Sequence, residues 1–461
     1  MAGDPSDGRS RSGPDSGLDP VYDIVGIGFG PSNLALAIAV AEHNAAATDP
    51  EPVTAHFLER QPSFGWHRGM LIEDATMQVS FLKDLATMRN PASEFSFLCY
   101  LHSRGRLVEF INHKNLFPLR IEFHDYFEWA AARVDQVSYG HEVRQVRPVE
   151  VDGEITHLDV IARAADGTVV TYRARNLVFA TGLLPNLPDG IRISDRVWHT
   201  SEFLHRVEDV DPAAVKRFVV VGAGQSAAEV AALLHDRFPA AEVCAVFGRY
   251  GYSPSDDSSF ANRIFDPAAV DDFYDAPQEV KDQLVGYHAN TNYSVVDIDL
   301  IDELYRRVYR EKVLGEERLR LLKVSRVTDV HSTGDGLSVT VESRTSGART
   351  VLDTDVIVYA TGYRPADPTG LLGDLSGLCP RDDRGRLRID RDYRLHTADR
   401  LRCGVFLQGG TEHTHGITSS LLSNTAIRVG EILDSVLAAR ASWAPAQVSQ
   451  APVSYAAAHG H

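Results

Sequence analysis

Two glycine-rich turns carry the most informative chemistry in this chain of 461 residues. The first is Gly26-Ile-Gly28-Phe-Gly-Pro31, and the second is Gly222-Ala-Gly224-Gln-Ser-Ala. Glycines at this spacing let the backbone approach a pyrophosphate, which the free N–H groups and the dipole of a following helix attract. Pro31 stands where the usual fingerprint has its third glycine. The two turns predict two dinucleotide sites.

A charged residue downstream of each turn indicates which nucleotide it binds. Glu59 ends the β-like run after the first turn, at the separation expected for a carboxylate that binds a ribose. Arg249 ends the corresponding run after the second turn, where a guanidinium suits the 2′-phosphate of NADPH unless it is simply a solvated arginine. This pair of sites fits FAD plus NADPH and predicts flavin redox chemistry, but no particular substrate.

The elements around the turns predict how they are positioned. Each turn follows a short β-branched run and precedes an apolar helix, which is the opening of a βαβ unit. Residues 176–182 and 355–362 both end in Ala-Thr-Gly, a turn that marks passages between the nucleotide domains of flavoproteins. We therefore expect an α/β fold with two Rossmann-like dinucleotide-binding domains and a small inserted substrate-binding segment.

Composition shifts along the chain predict the domain limits. Both ends are rich in small polar residues and read as disordered tails, and the region before residue 296 is irregular and rich in Ser, Asp, Asn and Tyr. The expected division is tails at 1–20 and 441–461, an FAD domain at 21–185 and 355–440, an NADPH domain at 186–258 and 295–354, and a substrate-binding segment at 259–294.

The overall charge narrows the classes of partner. With 46 Lys+Arg against 63 Asp+Glu the net charge is −17, and such a field repels phosphate, so nucleic acid and anionic membranes are poor partners. Apolar runs fall short of the ~20 residues of a membrane-spanning helix, and the N-terminus has no apolar signal core. The sequence therefore predicts a cytoplasmic protein that acts on a small molecule.

Other kinds of site are disfavoured by what the sequence lacks. The four cysteines show no Cys-x-x-Cys spacing, which argues against disulfides, a thiol redox pair and zinc. Hydrolase elbows, Walker lysine loops and zincin helices are also missing. His413 and His415 have a spacing that could ligate a metal, but a loop cluster near the flavin is the preferred interpretation, and no metal is expected.

Lys83 lies in the otherwise apolar run 79–86 and would be costly if buried without an anion. The anion could be the neighbouring Asp84, or it could belong to a substrate.

Longer blocks of sequence resemble one enzyme family. They resemble the microbial N-hydroxylating flavin monooxygenases, specifically the L-ornithine N5-monooxygenases, while lysine N6-monooxygenases and diamine hydroxylases share many of them. The blocks that carry the resemblance are residues 57–67, 77–91, 95–101, 254–262, 290–297, 360–363 and 415–423.

The resemblance implies roles for individual residues. It implies FAD contacts for Gly26, Gly28, Pro31, Glu59, Trp66, His67 and Gln78, with Gln78 near the isoalloxazine, and NADPH contacts for Gly222, Gly224, Gln225, Ser226 and Arg249. It implies that Lys83 grips the substrate carboxylate, that Asn262 and Asn292 hold the amino-acid end, and that Ser423 closes over flavin and substrate. Gln78, Lys83 and Asn292 are the residues expected to act in catalysis.

The resemblance also implies a reaction. NADPH reduces FAD, O2 adds to give a C4a-hydroperoxyflavin, and the neutral side-chain amine of L-ornithine becomes N5-hydroxyornithine for a siderophore or other hydroxamate product. A homotetramer or homodimer is expected. Lysine or a diamine remains an alternative substrate, although a diamine has no carboxylate for Lys83. A flavin reductase or redox sensor without oxygenation remains the alternative of another class.

Overall fold

The computed structural model describes residues 20–47 and 51–443, so the two expected tails lie almost wholly outside the described residues. The strands are β1 Val21–Ile27, β2 Ala55–Glu59, β3 Val137–Tyr139, β4 His141–Val151, β5 Glu154–Ala164, β6 Val169–Phe179, β7 Leu183–Pro185, β8 Val197–His199, β9 Arg217–Val221, β10 Glu242–Val246, β11 Leu319–Leu322, β12 Ser325–Ser332, β13 Leu337–Ser343, β14 Arg349–Thr354, β15 Val356–Tyr359, β16 Tyr363–Pro365 and β17 Gly404–Leu407. The helices are α1 Pro31–Ala46, α2 Phe97–Ser103, α3 Leu107–His113, α4 Arg120–Ala131, α5 Phe203–Val207, α6 Gln225–Arg237, α7 Pro267–Asp275, α8 Gln278–His288, α9 Ile298–Leu314, α10 Thr369–Leu372, α11 Glu412–His415 and α12 Thr425–Trp443.

The first domain is built on a seven-stranded sheet in the order β3-β2-β1-β6-β5-β4, with β17 paired to β6. The strands β3, β2, β1, β6 and β17 are parallel, whereas β5 and β4 continue the sheet antiparallel. The apolar residues 34–40 of α1 are buried in one core with residues of α12, because α1 lies between the sheet and that last helix. The two ends of the described chain therefore build this domain together.

The second domain has a fully parallel five-stranded sheet in the order β11-β10-β9-β15-β8. Helix α6 packs on β9 and β10, and α9 packs on α6. The antiparallel strands β12, β13 and β14 form a separate three-stranded sheet that shares a core with β9, β10 and β15. These observations confirm the predicted fold class with two Rossmann-like units.

The structure corrects one predicted limit. We expect the chain to return to the first domain at residue 355, but β15 pairs in parallel with β9 and with β8 and so belongs to the second sheet. The actual crossing is the two-stranded ribbon of β7 and β16, which follow the two Ala-Thr-Gly turns. A buried strand of apolar residues has no local mark of the sheet it joins, which is why the sequence alone misplaced it.

The predicted substrate segment 259–294 consists of short helices, including a 3-10 turn at Ala261–Phe265, α7 and α8. Although it is inserted between β10 and β11, it packs against the first domain. Arg391 binds Asp271 at 2.6 Å, and Arg384 binds Asp282 at 2.6 Å. No helix among the described residues is both long and apolar enough to span a membrane.

Candidate active site

The first glycine turn is open on the side where an anion would bind. Gly28 has φ +85°, and a Cβ atom there would lie 2.4 Å from the carbonyl oxygen of Ala180, so glycine is required by the fold itself. At Gly30, by contrast, a Cβ atom would meet nothing within 4 Å. Gly30 is the N-cap of α1 and Pro31 its first helical residue, so free N–H groups of the first helical turn face this open space.

Glu59 stands at the carboxyl end of β2 beside this turn. Its Oε2 accepts a hydrogen bond of 2.7 Å from the N–H of Phe29, and its Oε1 accepts one of 2.9 Å from the N–H of Gln61. Glu59 as a whole is 7% exposed. It therefore holds the turn in place and keeps further acceptor capacity for a ribose hydroxyl.

The C-terminal segment that covers the first domain contains buried polar atoms with no partner among the described residues. They include Thr411 Oγ1, Ser419 Oγ and Asn424 Oδ1. Such atoms cost about 1–3 kcal/mol each if they stay unsatisfied. Ser423, predicted to close the site, is buried in the same segment. Together with the open turn and Glu59, these atoms fit a bound FAD.

Trp66, His67 and Gln78, which the resemblance assigns to FAD, follow β2 along the chain. The rings of Trp66 and His67 lie 4.8 Å apart, and Trp66 packs at 5.2 Å against Phe127 of the core. His67 has a left-handed φ of 50°. Its side chain is exposed, yet desolvation, with the nearby Arg120 charge, lowers the pKa of His67 to about 4. Gln78 is exposed as well.

The second glycine turn repeats the geometry of the first. Gly222 has φ +142°, and a Cβ atom there would lie 2.3 Å from the carbonyl oxygen of Ala360, which is the counterpart of Ala180. Gly224 caps α6 and faces Ser294, whose Cα atom would be 3.3 Å from an added Cβ. Arg249 is exposed beyond β10, and its Nη1 donates to the Ser294 carbonyl at 2.9 Å.

Two further residues of this turn were assigned to NADPH by resemblance. Ser226 is half-buried in the first turn of α6. The amide of Gln225 is engaged within the protein, since its Nε2 donates to Glu229 at 3.0 Å and its Oε1 accepts from the N–H of Asp297 at 2.8 Å. The structure thus places the Gln225 side chain at the domain junction, with one N–H left to donate.

Lys83 has no carboxylate partner among the residues that the structure describes. It is half-buried, and its Nζ lies 5.6 Å from the centre of the Phe265 ring. Burial lowers the pKa of Lys83, while the charge of Asp266 opposes that shift. Asp84 is not the partner, because its carboxylate accepts from the N–H groups of Ala86, Thr87 and Phe97 and from the Thr87 hydroxyl. This leaves the ammonium group available to an external anion.

The two candidate asparagines lie at opposite ends of the substrate segment. Asn262 shares its 3-10 turn with Phe265 and is thereby brought towards Lys83, but its Nδ2 donates to the Asp257 carbonyl at 2.6 Å. Asn292 directly precedes Tyr293, whose hydroxyl donates a hydrogen bond to Glu412. Asn292 lies near the second glycine turn, two residues from Ser294.

His413 and His415 hydrogen-bond two different backbone carbonyl groups. His413 Nε2 bonds the Leu387 carbonyl at 2.8 Å, and His415 Nε2 bonds the Arg391 carbonyl at 3.1 Å. No group of three or more His, Cys, Asp or Glu side chains suited to a metal occurs in the described part of the chain.

Sequence reasoning missed two polar groups that the structure places beside the sites. One is the ion pair of Arg120 with Glu229, which joins the domains. The other is the buried group of Asn33, Gln408 and Arg428 under the first turn. Asn33, directly after the glycine turn, was a usable signal for the second group. Nothing local in the sequence marks Arg120 or Arg428.

Comparisons with known proteins agree with this geometry. The sequence profile of the L-lysine 6-monooxygenase/L-ornithine 5-monooxygenase family matches residues 20–365. The L-ornithine N(5)-monooxygenase of Burkholderia cepacia is 42% identical over 409 residues, which are 86% of this chain and 90% of that protein.

Solved structures are similar over most of the chain. An ornithine N-hydroxylase of Kutzneria sp. 744, in complex with reduced FAD, NADP⁺ and L-ornithine, is 48% identical with a TM-score of 0.88, covering 91% of this chain and 100% of that one. An L-lysine 6-monooxygenase of Pseudomonas syringae aligns less closely, with 30% identity and a TM-score of 0.79 over 91% of this chain and 99% of that one.

Proposed function

Since the chain belongs to the L-lysine 6-monooxygenase/L-ornithine 5-monooxygenase family, we propose that it hydroxylates the side-chain amine of L-ornithine to give N5-hydroxyornithine. It is an NADPH-dependent flavin monooxygenase that uses FAD and O2. The observation that carries the choice of ornithine is the 48% identity with the ornithine-bound hydroxylase, against 30% with the lysine enzyme. The product suits a siderophore or another hydroxamate.

Bound FAD and NADPH supply hydride transfer and the activation of O2. The residues of the chain bind and orient these two cofactors. The first turn of α1 and Glu59 hold the diphosphate and a ribose of FAD, while Gly26, Trp66, His67 and Gln78 border it. The turn at Gly222 and Gly224, with Ser226 and Arg249, holds NADPH. Arg249 is supported in this role by its exposure and its position next to Ser294.

The substrate is held by Lys83 and by the segment opposite it. Lys83 binds the α-carboxylate of ornithine, and this role is supported because no carboxylate of the described residues pairs with Lys83. Asn262 and Asn292 hold the amino-acid end, and Ser423 closes the site from the C-terminal segment. A free alkylammonium has a pKa of about 10.4 and is not a nucleophile, so the site must favour the neutral amine by excluding water.

We also propose a homodimer or homotetramer in the cytoplasm. The exposed face of α9 supports an oligomer, because Tyr305, Tyr309 and Val313 expose 70%, 63% and 67% of their surfaces along one stripe. All four cysteines are free thiols, which supports a reducing compartment.

The decisive experiment is hydroxylamine formation by the FAD-loaded protein with NADPH, measured in parallel with L-ornithine, L-lysine, putrescine and cadaverine. We expect product from ornithine. Product from lysine or from a diamine instead would overturn the substrate assignment. Consumption of NADPH and O2 with hydrogen peroxide alone, whichever amine is present, would favour a reductase.

A further inference from the structure

Arg428 of α12 is a fully buried guanidinium with only neutral partners among the described residues. It is 1% exposed. Its Nε donates to Gln408 Oε1 at 3.3 Å, its Nη1 to the Ser419 carbonyl, and its Nη2 to Ser32 Oγ and Thr425 Oγ1, both at 3.1 Å. The carboxylate of Glu431 acts on it only at longer range, since Glu431 is bound by Arg391 through two hydrogen bonds of 2.9 Å.

A buried cation without an anion is costly, because four neutral acceptors replace its hydration only in part. Burial lowers the pKa of Arg428, but a guanidinium stays protonated in proteins. The described chain thus carries one positive charge in its interior that a bound anion would compensate.

The contact with Ser32 shows where that anion would lie. Ser32 follows Pro31 in the first turn of α1, where anions bind. Its Oγ accepts from Arg428, and its carbonyl accepts from Gln408 Nε2 at 3.2 Å. Among the residues of the described ranges, none accepts the hydroxyl hydrogen of Ser32, so this hydrogen remains to be donated. Ser32 is half-buried whereas Arg428 is buried, and Ser32 is two residues from Gly30, where an added Cβ atom would meet nothing within 4 Å.

We propose that Arg428 is a positioning residue for the diphosphate of FAD: it orients the Ser32 hydroxyl as a donor to that group and supplies the buried charge that compensates it. The inference rests on the flavin dependence stated above. It concerns only how the diphosphate is recognised, so its failure would leave hydroxylation itself untouched.

A purely structural role for Arg428 gives a different set of results. As a structural link between α12, α1 and the Ser419 carbonyl, Arg428 would stabilise the flavin-free and the flavin-loaded protein equally. As a partner of the diphosphate, Arg428 stabilises the flavin-loaded protein and destabilises the flavin-free protein. The two roles are separated by measuring both forms.

The test uses the full-length protein, freed of flavin and then titrated with FAD. For Arg428→Met we expect FAD binding, followed by flavin fluorescence, to weaken by about 10- to 100-fold. The melting temperature should fall in the loaded form but not in the flavin-free form. Arg428→Lys keeps the positive charge but loses the planar guanidinium group. Its FAD affinity should lie between those of the wild type and Arg428→Met. Equal destabilisation of both forms with unchanged FAD affinity would overturn the proposal.

A milder variant keeps the test valid if Arg428→Met fails to fold. Ser32→Ala leaves the arginine and the core in place, and we expect weaker FAD binding with an unchanged melting temperature of the flavin-free protein. Ser32→Thr retains a hydroxyl and should restore the affinity. Unchanged FAD affinity in Ser32→Ala would refute the role of the hydroxyl.

Arg217→Met is the matched control. Arg217 belongs to the second domain and is paired with Glu242. We expect its loss to destabilise both forms equally and to leave FAD affinity unchanged. The proposed function is tested separately by hydroxylamine formation in the wild-type protein, so the two inferences fail in distinguishable ways.

Discussion

The guanidinium of Arg120 and the carboxylate of Glu229 form a bidentate ion pair, with 3.0 Å between Nη1 and Oε2 and 2.7 Å between Nη2 and Oε1. Arg120 begins α4 of the first domain, and Glu229 lies in α6 of the second. Their side chains are 12% and 4% exposed. Because Glu229 also accepts from Gln225, this pair connects the domain junction to the second glycine turn.

Replacing Arg120 by Met leaves the Glu229 carboxylate buried without its counter-charge. We expect the free energy of unfolding in urea to fall by about 3–5 kcal/mol. We also expect slower reduction of the flavin by NADPH in stopped-flow measurements, since the domains lose their fixed register. Arg384→Met is the matched control: its bidentate pair with Asp282 is exposed to solvent, so its loss should lower the unfolding free energy much less. Equal losses in the two variants would contradict the importance of the buried pair.

The glycines of the first turn should respond differently to alanine. Gly28→Ala forces a Cβ against the Ala180 carbonyl at a positive φ, so it should destabilise the protein by more than about 1–2 kcal/mol whether or not FAD is present. Gly30→Ala meets no protein atom and should change the unfolding free energy by less than about 1 kcal/mol. It should nevertheless weaken FAD binding, measured by fluorescence titration, because the added methyl occupies the space for the diphosphate. Unaltered FAD affinity in Gly30→Ala would place the diphosphate elsewhere.

Lys83→Ala should impair the use of ornithine while NADPH oxidation continues. Loss of one charged hydrogen bond of about 1.5–3 kcal/mol corresponds to a 10- to 100-fold rise in the ornithine KM, measured by hydroxylamine formation. Lys281→Ala is the control, since this lysine is also partly desolvated but donates to the Tyr274 carbonyl at 2.8 Å. A Lys83→Ala variant with the wild-type dependence on ornithine would disprove the carboxylate contact.

Arg249→Ala should change the choice of nicotinamide cofactor. Without the guanidinium, kcat/KM for NADPH should fall by roughly tenfold or more while that for NADH stays the same, because only NADPH has the 2′-phosphate. Arg326 is an exposed arginine on β12 that pairs with Glu342 of β13, and Arg326→Ala should alter neither value. A parallel decline with both cofactors would mean that Arg249 only supports the loop at Ser294.

His415 should make stability depend on pH. It is fully buried and stacks on Tyr393 at 4.1 Å, and burial, as the largest cause, lowers its pKa from 6.5 to about 4. Below about pH 6.5, His415 is therefore protonated in the unfolded chain but stays neutral in the folded protein until the pH approaches 4. The stability from this group is complete above about pH 6.5 and declines as the pH falls towards 4, by up to ~3 kcal/mol.

Urea unfolding of His415→Gln and of the wild type between about pH 4.5 and 7.5 checks this expectation. The variant should show a shallower decline at acid pH. His331→Gln serves as the control, because His331 is exposed and paired with Asp329. Identical slopes in wild type and His415→Gln would assign the acid sensitivity to other groups.

Some elements of this fold follow from local sequence patterns, whereas others depend on contacts between distant parts of the chain. The units β1–α1 and β9–α6 could be predicted, because a glycine turn between a β-branched run and an apolar helix is a local pattern. The membership of β15 could not, since pairing partners are chosen by the assembled sheet. The sequence also leaves open whether Asp84 pairs with Lys83. In the structure, the Asp84 carboxylate accepts hydrogen bonds from nearby backbone N–H groups instead. The burial of Arg428 depends on Ser32, 396 residues away along the chain.

The long distance along the chain between Ser32 and Arg428 also constrains the order in which the protein folds during synthesis. At roughly 5–20 residues per second, Arg428 leaves the ribosome about 20 to 80 s after Ser32. The strands of the second sheet, all between β8 and β15, emerge earlier and can pair meanwhile. Helix α1 must wait for α12, with its apolar face accessible to chaperones. We therefore expect FAD to bind late. A ribosome that stalls before residue 404 would release a chain that has every strand of the second sheet but lacks β17 and α12 of the first domain.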